Sequence, residues 1–214
     1  MTTAGSARTL ILASKSPRRF ALLQEAGLPV RILQTGFDDS RLAKPPDWAV
    51  AEWTLHLARL KLDAAVAHFS VPSFPAGAIV LSADTVVDLD GAVIGQPADA
   101  SHARTMIRLI SARTHDVVTA ALLHDLDSGA RTEILDRSTV SVGPIPESEI
   151  DRYVATGSWR GKAGGYNLCE QVAAGWPISW QGDPATVMGL PMIKLMQVLR
   201  ESYGFSHPSG TSCR

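Results

Sequence analysis

The sequence predicts an α/β fold in which helices flank a mixed β-sheet. Three observations lead there. Short apolar runs with strand character alternate with helical stripes over the first half of the chain. Two pairs of β-rich runs are joined by Asp90-Gly91 and by Asp127-Ser128-Gly129, which are hairpin signals and therefore antiparallel. The composition, 45% hydrophobic and 19% charged over 214 residues, is that of an ordinary globular chain able to bury a core without staples. Strand–helix units together with hairpins favour a mixed sheet over a purely parallel one.

The elements follow in order. Thr9 to Ala13 is a short apolar strand. Ser16 is placed to cap the next helix, with Pro17 at its first position, Leu22, Leu23 and Ala26 on its stripe and Gly27 as its stop. Val30 to Gln34 is a second strand. A long helix is expected from Trp48 to His68, capped by Asp47, with Leu55, Ala58, Leu62 and Ala65 on one face. Residues 72–77 read as a loop. Ala78 to Ala83 is a continuous apolar run, as in a central strand buried on both faces. Val86–Leu89 and Ala92–Ile94 then form a hairpin. Asp99 or Ser101 caps a helix ending near Ile110. His115–His124 and Arg131–Val142 are strands, and Glu147–Ala155 is a helix closed by Gly157. A strand at Trp176–Trp180 and a last helix from Pro191 to Gly204 complete the pattern. No repeat, charge block or linker divides the chain. One domain over 1–214 is expected, with 1–8 and 205–214 as flexible tails.

Bulk properties exclude several classes of function. A net charge of −1 provides no global field for nucleic acid, and the five tryptophans are not interleaved with basic runs. Trp159, Trp176 and Trp180 read as core residues first and as base-stacking residues second. The first apolar run is far too short for a leader or a membrane span, so an untargeted, cytoplasmic protein is expected. Cys169 and Cys213 show neither a disulfide framework nor a zinc spacing, and a reducing compartment fits them.

Six segments could carry chemistry. Ser14-Lys15-Ser16-Pro17-Arg18-Arg19 sits at a strand-to-helix turn, where free N–H groups and guanidinium forks can cradle phosphate; it also reads as a capped helix with two solvated arginines. Asp84 follows the most apolar strand, where a carboxylate can bind a cation or take a proton, or can simply end the strand. Asp38-Asp39 is an oxygen-rich loop that is either solvated or part of a divalent cation site. Lys61 lies on an apolar helix and either snorkels to water or points at phosphate. Gly161-Lys162-Ala163-Gly164-Gly165 permits close backbone approach and adds a charge, but lacks the Walker A spacing. Gly182 to Pro191 is a loop that feeds a helix with Pro at its start, and alone reads as a turn and a helix cap.

Taken in order, these segments resemble the Maf family of nucleotide pyrophosphatases over nearly the whole chain, from Leu10 to about Leu199. Ala13 to Arg19 matches the family's Ala-Ser-x-Ser-Pro-Arg-Arg. Asp38-Asp39, Leu57-Ala58 with Lys61, Ala83-Asp84-Thr85, Ser111 to His115, Lys162 to Tyr166 and Val187 to Pro191 match its later segments. The resemblance implies a long, twisted mixed sheet with a central cleft, related to inosine triphosphatases. It implies hydrolysis of a nucleoside triphosphate to the monophosphate and pyrophosphate with Mg²⁺, Mn²⁺ or Co²⁺, as house-cleaning of unwanted nucleotides. By the same resemblance Asp84 is the general base, Asp39 and Asp84 hold the metal, and Ser14, Arg18, Arg19, Lys61 and Lys162 hold the phosphates. Arg18, Thr85 and Cys169 occupy the positions that set nucleobase choice, which points to a pyrimidine-type or broad specificity. His115 is expected to make a structural hydrogen bond. A homodimer is implied.

Three positions depart from the family pattern. Gln96 replaces a Lys before Pro97, so one cleft charge is missing. Asn167-Leu168-Cys169-Glu170 replaces Gly-Ile-Gln-Gly. Ala112 replaces a Gly. The first two motivate a second expectation, a catalytically attenuated nucleotide-binding regulator linked to septum formation.

Overall fold

The computed structural model describes residues 8–39, 41–67 and 77–205. Cys213, His68 at the end of the expected long helix and residues 72–76 of the expected loop lie outside them. Among the described residues fifteen elements form one seven-stranded sheet with helices on its faces. The strands are β1 (Leu10–Leu12), β2 (Val30–Ile32), β3 (Ile79–Leu89), β4 (Ala92–Ile94), β5 (Arg113–Asp125), β6 (Arg131–Val142) and β7 (Ile178–Gln181). The helices are α1 (Pro17–Glu25), α2 (Val50–Ala67), α3 (Ala100–Ile110), α4 (Glu147–Ala155), α5 (Leu168–Ala173), α6 (Pro184–Met188) and α7 (Met192–Tyr203), with one 3₁₀ turn at Ala163–Gly165.

The sheet order is β2-β1-β3-β5-β6-β7, and β4 also pairs with β3. β1 is parallel to β2 and β3, while every pairing beyond β3 is antiparallel. The mixed sheet expected from hairpins and crossover helices is therefore present. Asp90-Gly91 turns the β3–β4 hairpin with φ of 53° and 84°, as a type I′ turn requires.

One feature of β3 positions everything that follows. On one edge, β1 pairs with Ile79–Leu81 and β4 pairs with Val87–Leu89. Between them, 82–86 has a strand neighbour only on the other edge, where β5 runs alongside Ile79–Asp88. The sheet thus has a notch in the middle of its longest-buried strand. Asp84 lies inside that strand, opposite Ala120 of β5, and not at a strand end as the sequence suggested. The apolar run simply continues through Asp84-Thr85 into Val86 and Val87.

Alternation along β3 sends its side chains to two faces. Val80 packs with Ala58 and Leu62 of α2, and Val86 with Val50, on one face. Leu81 and Ala83 join a larger core with α1, α6 and α7 on the other. Val87 and Leu89 join α3, α4 and the far end of β5 and β6. The expected stripe of α2 holds: Leu62 and Ala65 are fully buried. The helix begins at Val50, because Pro46 and Asp47 form a separate turn before it. Asp99 caps α3 by accepting from His102 N. Arg8 is ion-paired with Asp125 at 2.9 Å, and Phe205 is buried in the main core.

Candidate active site

Ser16 caps α1, accepting from Arg19 N, and Ser14 Oγ accepts from Ser16 N at 3.1 Å. These bonds fix the β1–α1 turn against the notch. Arg19 then fills the notch. Its Nη1 donates to Ala83 O (2.8 Å) and Ser14 Oγ (3.2 Å), its Nε to Gly189 O (2.8 Å) and its Nη2 to Thr85 Oγ1 (3.1 Å). The guanidinium takes the place of a missing strand, satisfying a backbone carbonyl that no neighbour strand reaches. Burial holds its pKa below the usual arginine value, opposed chiefly by the Asp84 charge. Arg19 was expected among the phosphate ligands; here nearly all its donors are committed to protein, and it positions the loops around Asp84.

The bonding continues through Thr85. Thr119 Oγ1 donates to Thr186 O at 2.7 Å, so Thr85 must donate to Thr119 across 2.9 Å. The Thr85 hydroxyl proton and one lone pair are thus used, by Thr119 and by Arg19, which leaves one acceptor lone pair. Gly189, at φ 117°, ends α6 in the left-handed region; an added Cβ would sit 3.1 Å from Arg19 Nε. Glycine is needed there for both reasons.

Asp84 projects towards α2, where Lys61 meets it. The Lys61 ammonium is ion-paired with Asp84 and, at 2.6 Å, with Asp39. The Asp84 side chain is only 8% exposed. Burial raises its carboxyl above the ordinary carboxylate range, while Lys61 and then Arg19 pull it back. Three residues expected in the site, Asp39, Lys61 and Asp84, therefore do converge, through one ammonium.

The cleft has two lobes that share Ser16, Arg18, Arg19, Lys61, Gln96 and Gly161. The outer lobe, of about 380 Å³, is lined by polar and basic groups that include Ser14, Lys15, Asp39 and Arg160. The inner lobe, of about 90 Å³, is walled by Val87, Val117, Tyr166, Val187 and Met188 around Asp84 and Thr85. Both lobes expose mainly polar and charged groups, and the inner one adds an apolar wall, which suits an anionic ligand that also carries a ring. Among the described residues Lys15, Arg18 and Arg160 make no ion pair, and all three line the outer lobe. Arg18 Nη2 donates to Gly161 O at 2.8 Å, and burial depresses its pKa, with the Glu170 charge opposing.

Lys162, expected at the phosphates, does not line either lobe. It is buried, with its ammonium ion-paired to Glu170. Gly164 N is tied to Gly95 O at 2.9 Å and Gly165 O to Tyr153 Oη at 2.8 Å, so this glycine turn is a clamp between the hairpin and α4. Cys169, expected to set nucleobase choice, lines neither lobe; its Sγ lies 3.5 Å from Met188 Sδ. His115 Nε2 pairs with Tyr166 Oη at 2.8 Å, the structural bond expected of it. Trp159 and Trp176 are buried, with ring nitrogens bonded to Val154 O and Glu149, in keeping with the core reading.

Sequence reasoning missed Lys15, Arg160 and Glu170. Lys15 sits at the variable position of the first segment, and Glu170 replaces the last Gly of a segment already noted as a departure. Arg160 immediately precedes Gly161-Lys162, and its charge is the only signal it offers.

Comparison with known proteins agrees with this geometry. The family model described as Maf-like protein matches residues 9–202. A dTTP/UTP pyrophosphatase of Salinibacter ruber is 39% identical over 91% of this chain and 91% of its own length. Another from Burkholderia thailandensis is 37% identical over 94% of this chain and 97% of its own. A third, from Pelotomaculum thermopropionicum, is 36% identical over 93% and 98%. With a match across nearly all its length and the family's segments gathered around one notched strand, the chain belongs to the Maf-like protein family.

Proposed function

We propose that the protein hydrolyses nucleoside triphosphates to the monophosphate and pyrophosphate, with dTTP and UTP as first candidate substrates. The observation that carries this reading is Asp84: a carboxylate buried at the inner end of a cationic cleft, with its pKa raised towards that of a useful base. The relatives' names supply the nucleotide class.

The residues divide the work. Arg18 and Lys15 receive phosphate oxygens in the outer lobe, and the base lies against the Val87, Val117 and Met188 wall of the inner lobe. Thr85 offers the base an acceptor, which suits a ring N–H such as N3–H of uracil or thymine. Asp84 takes the proton of the attacking water. Lys61 keeps Asp84 and Asp39 aligned and offsets their mutual repulsion.

A divalent cation fits this donor set. Two carboxylates already meet at one cationic point, and hard cations take one or two protein carboxylates with phosphate oxygens and water. Asp39 and Asp84 would hold it. When bound, such an ion polarises phosphoryl oxygens and lowers the pKa of water.

The test is a pyrophosphate-release screen over ordinary and modified nucleotides with Mg²⁺, Mn²⁺ and Co²⁺. Turnover of at least one triphosphate, with pyrophosphate and not orthophosphate as product, is expected; no turnover across the panel defeats the reading. An attenuated enzyme is the second reading. One contact favours it: the Lys162–Glu170 pair withholds a cation from the cleft that also lacks one at Gln96.

A further inference from the structure

We propose that Arg160 binds the terminal phosphates of the substrate and supplies the charge that Gln96 does not. The inference rests on reading the outer lobe as a polyphosphate site. It adds to that site a residue outside the motif segments.

Arg160 lines the same lobe as Gln96, Arg18, Lys15 and Ser14. It has no carboxylate in ion-pair distance among the described residues. Its neighbour Gly161 accepts from Arg18 at 2.8 Å, so the two guanidinium groups flank one short stretch of chain. The side chain is also held in place. Its guanidinium carbon lies 4.6 Å from the Trp159 ring centroid, and Nη1 donates to Gly157 O at 3.3 Å. Gly157 sits at φ 71°, and a Cβ added there would stand 2.0 Å from Arg160 Nη1. The guanidinium therefore lies between an aromatic face and a bare glycine. That arrangement restrains the group while leaving donors exposed, as a preorganised anion ligand needs.

Charge accounting supports the assignment. Of the expected phosphate cations, Arg19 is consumed by loop contacts, Lys61 by two carboxylates and Lys162 by Glu170. Arg18 and Lys15 alone would face a chain of roughly four negative charges. Arg160 is the remaining unpaired cation among the lining residues. A guanidinium can engage two oxygens of one phosphate at once.

Calorimetric titration of the full chain with inorganic pyrophosphate, and separately with UMP, tests the proposal. Arg160→Gln is expected to weaken pyrophosphate binding at least about tenfold, the effect of losing a charged hydrogen bond. UMP binding should change by less than about twofold, and the salt dependence of pyrophosphate binding should flatten. Arg160→Lys should recover part of the loss, and Gln96→Lys in the Arg160→Gln background should recover more. Unchanged pyrophosphate binding in Arg160→Gln overturns the proposal. So does an equal loss for UMP and pyrophosphate, which would mark a role in cleft shape. If pyrophosphate binding falls as expected but no triphosphate is hydrolysed by the wild type, this inference stands and the hydrolase reading fails.

Discussion

Asp84 shows at the scale of one residue how burial and pairing oppose each other. Burial raises its pKa, and Lys61 and Arg19 only partly reverse the shift. A carboxyl whose pKa rises on folding favours the folded state at low pH and costs stability as pH climbs through the raised value. Asp84→Asn should therefore keep or raise the unfolding midpoint at pH 7. It should also lower turnover by about a hundredfold or more, as loss of a general base does. A melt and a turnover assay on the same sample check both. A lowered midpoint would mean that the pairing with Lys61 outweighs burial. Glu170 offers a second residue-scale prediction. Glu170→Gly frees the Lys162 ammonium and should raise turnover several-fold if the native enzyme is attenuated; unchanged kcat and KM would assign the pair to structure alone. Asp39, Lys61 and Asp84 were legible in the sequence because the chemistry of cation and proton handling dictates their types. The commitments of Arg19 and Lys162 were not, since Arg19 is settled by partners far along the chain and Lys162 by Glu170, which stands where the family pattern has Gly.

Elements set by local signals were the readable part of the fold. The caps at Ser16 and Asp99, the hairpin at Asp90-Gly91 and the stripe on α2 each depend on a few adjacent residues. The short helices α5 and α6 were not anticipated, because five or six residues carry no measurable period. They form by capping: Asn167 accepts from Glu170 N and Asp183 from Ala185 N. The Ala112 turn carries visible strain. Ala112 sits at φ 56°, where a Cβ crowds the following carbonyl. Ala112→Gly should stabilise the protein by about 1 kcal/mol, read from urea unfolding. No gain would show that the stiffer unfolded chain of Ala offsets the strain. The β5 residue His115 gives an element-scale pH signature. Burial pushes its pKa down to about 4, with Asp116 opposing. A histidine depressed on folding adds stability above its free value, and that stability drains away as pH falls from 6.5 towards 4. The amount is roughly 3 kcal/mol. His115→Gln should show a correspondingly smaller drop in unfolding free energy between pH 7 and 4.5; an identical drop would assign the acid sensitivity elsewhere.

Across the whole molecule, the near-zero net charge conceals a segregated distribution. The outer lobe gathers unpaired Lys15, Arg18 and Arg160, while the other arginines are mostly spent in surface pairs such as Arg59–Glu133 and Arg108–Glu147. Fold class was legible because hairpins and crossover helices together allow only a mixed sheet. Sheet order was not, since pairing of β1 with β3 depends on segments far apart in sequence. The interruption beside β3 has a dynamic corollary. Leu81 and Ala83 turn their carbonyls towards that side, so alternate residues, Ala83 and Thr85 among them, direct their amides there as well. Those protons lack a ladder partner in the midst of the most shielded strand. Deuterium should enter at Ala83 and Thr85 far sooner than at Ser82 and Asp84, which are laddered to β5, and an occupied cleft should slow that entry.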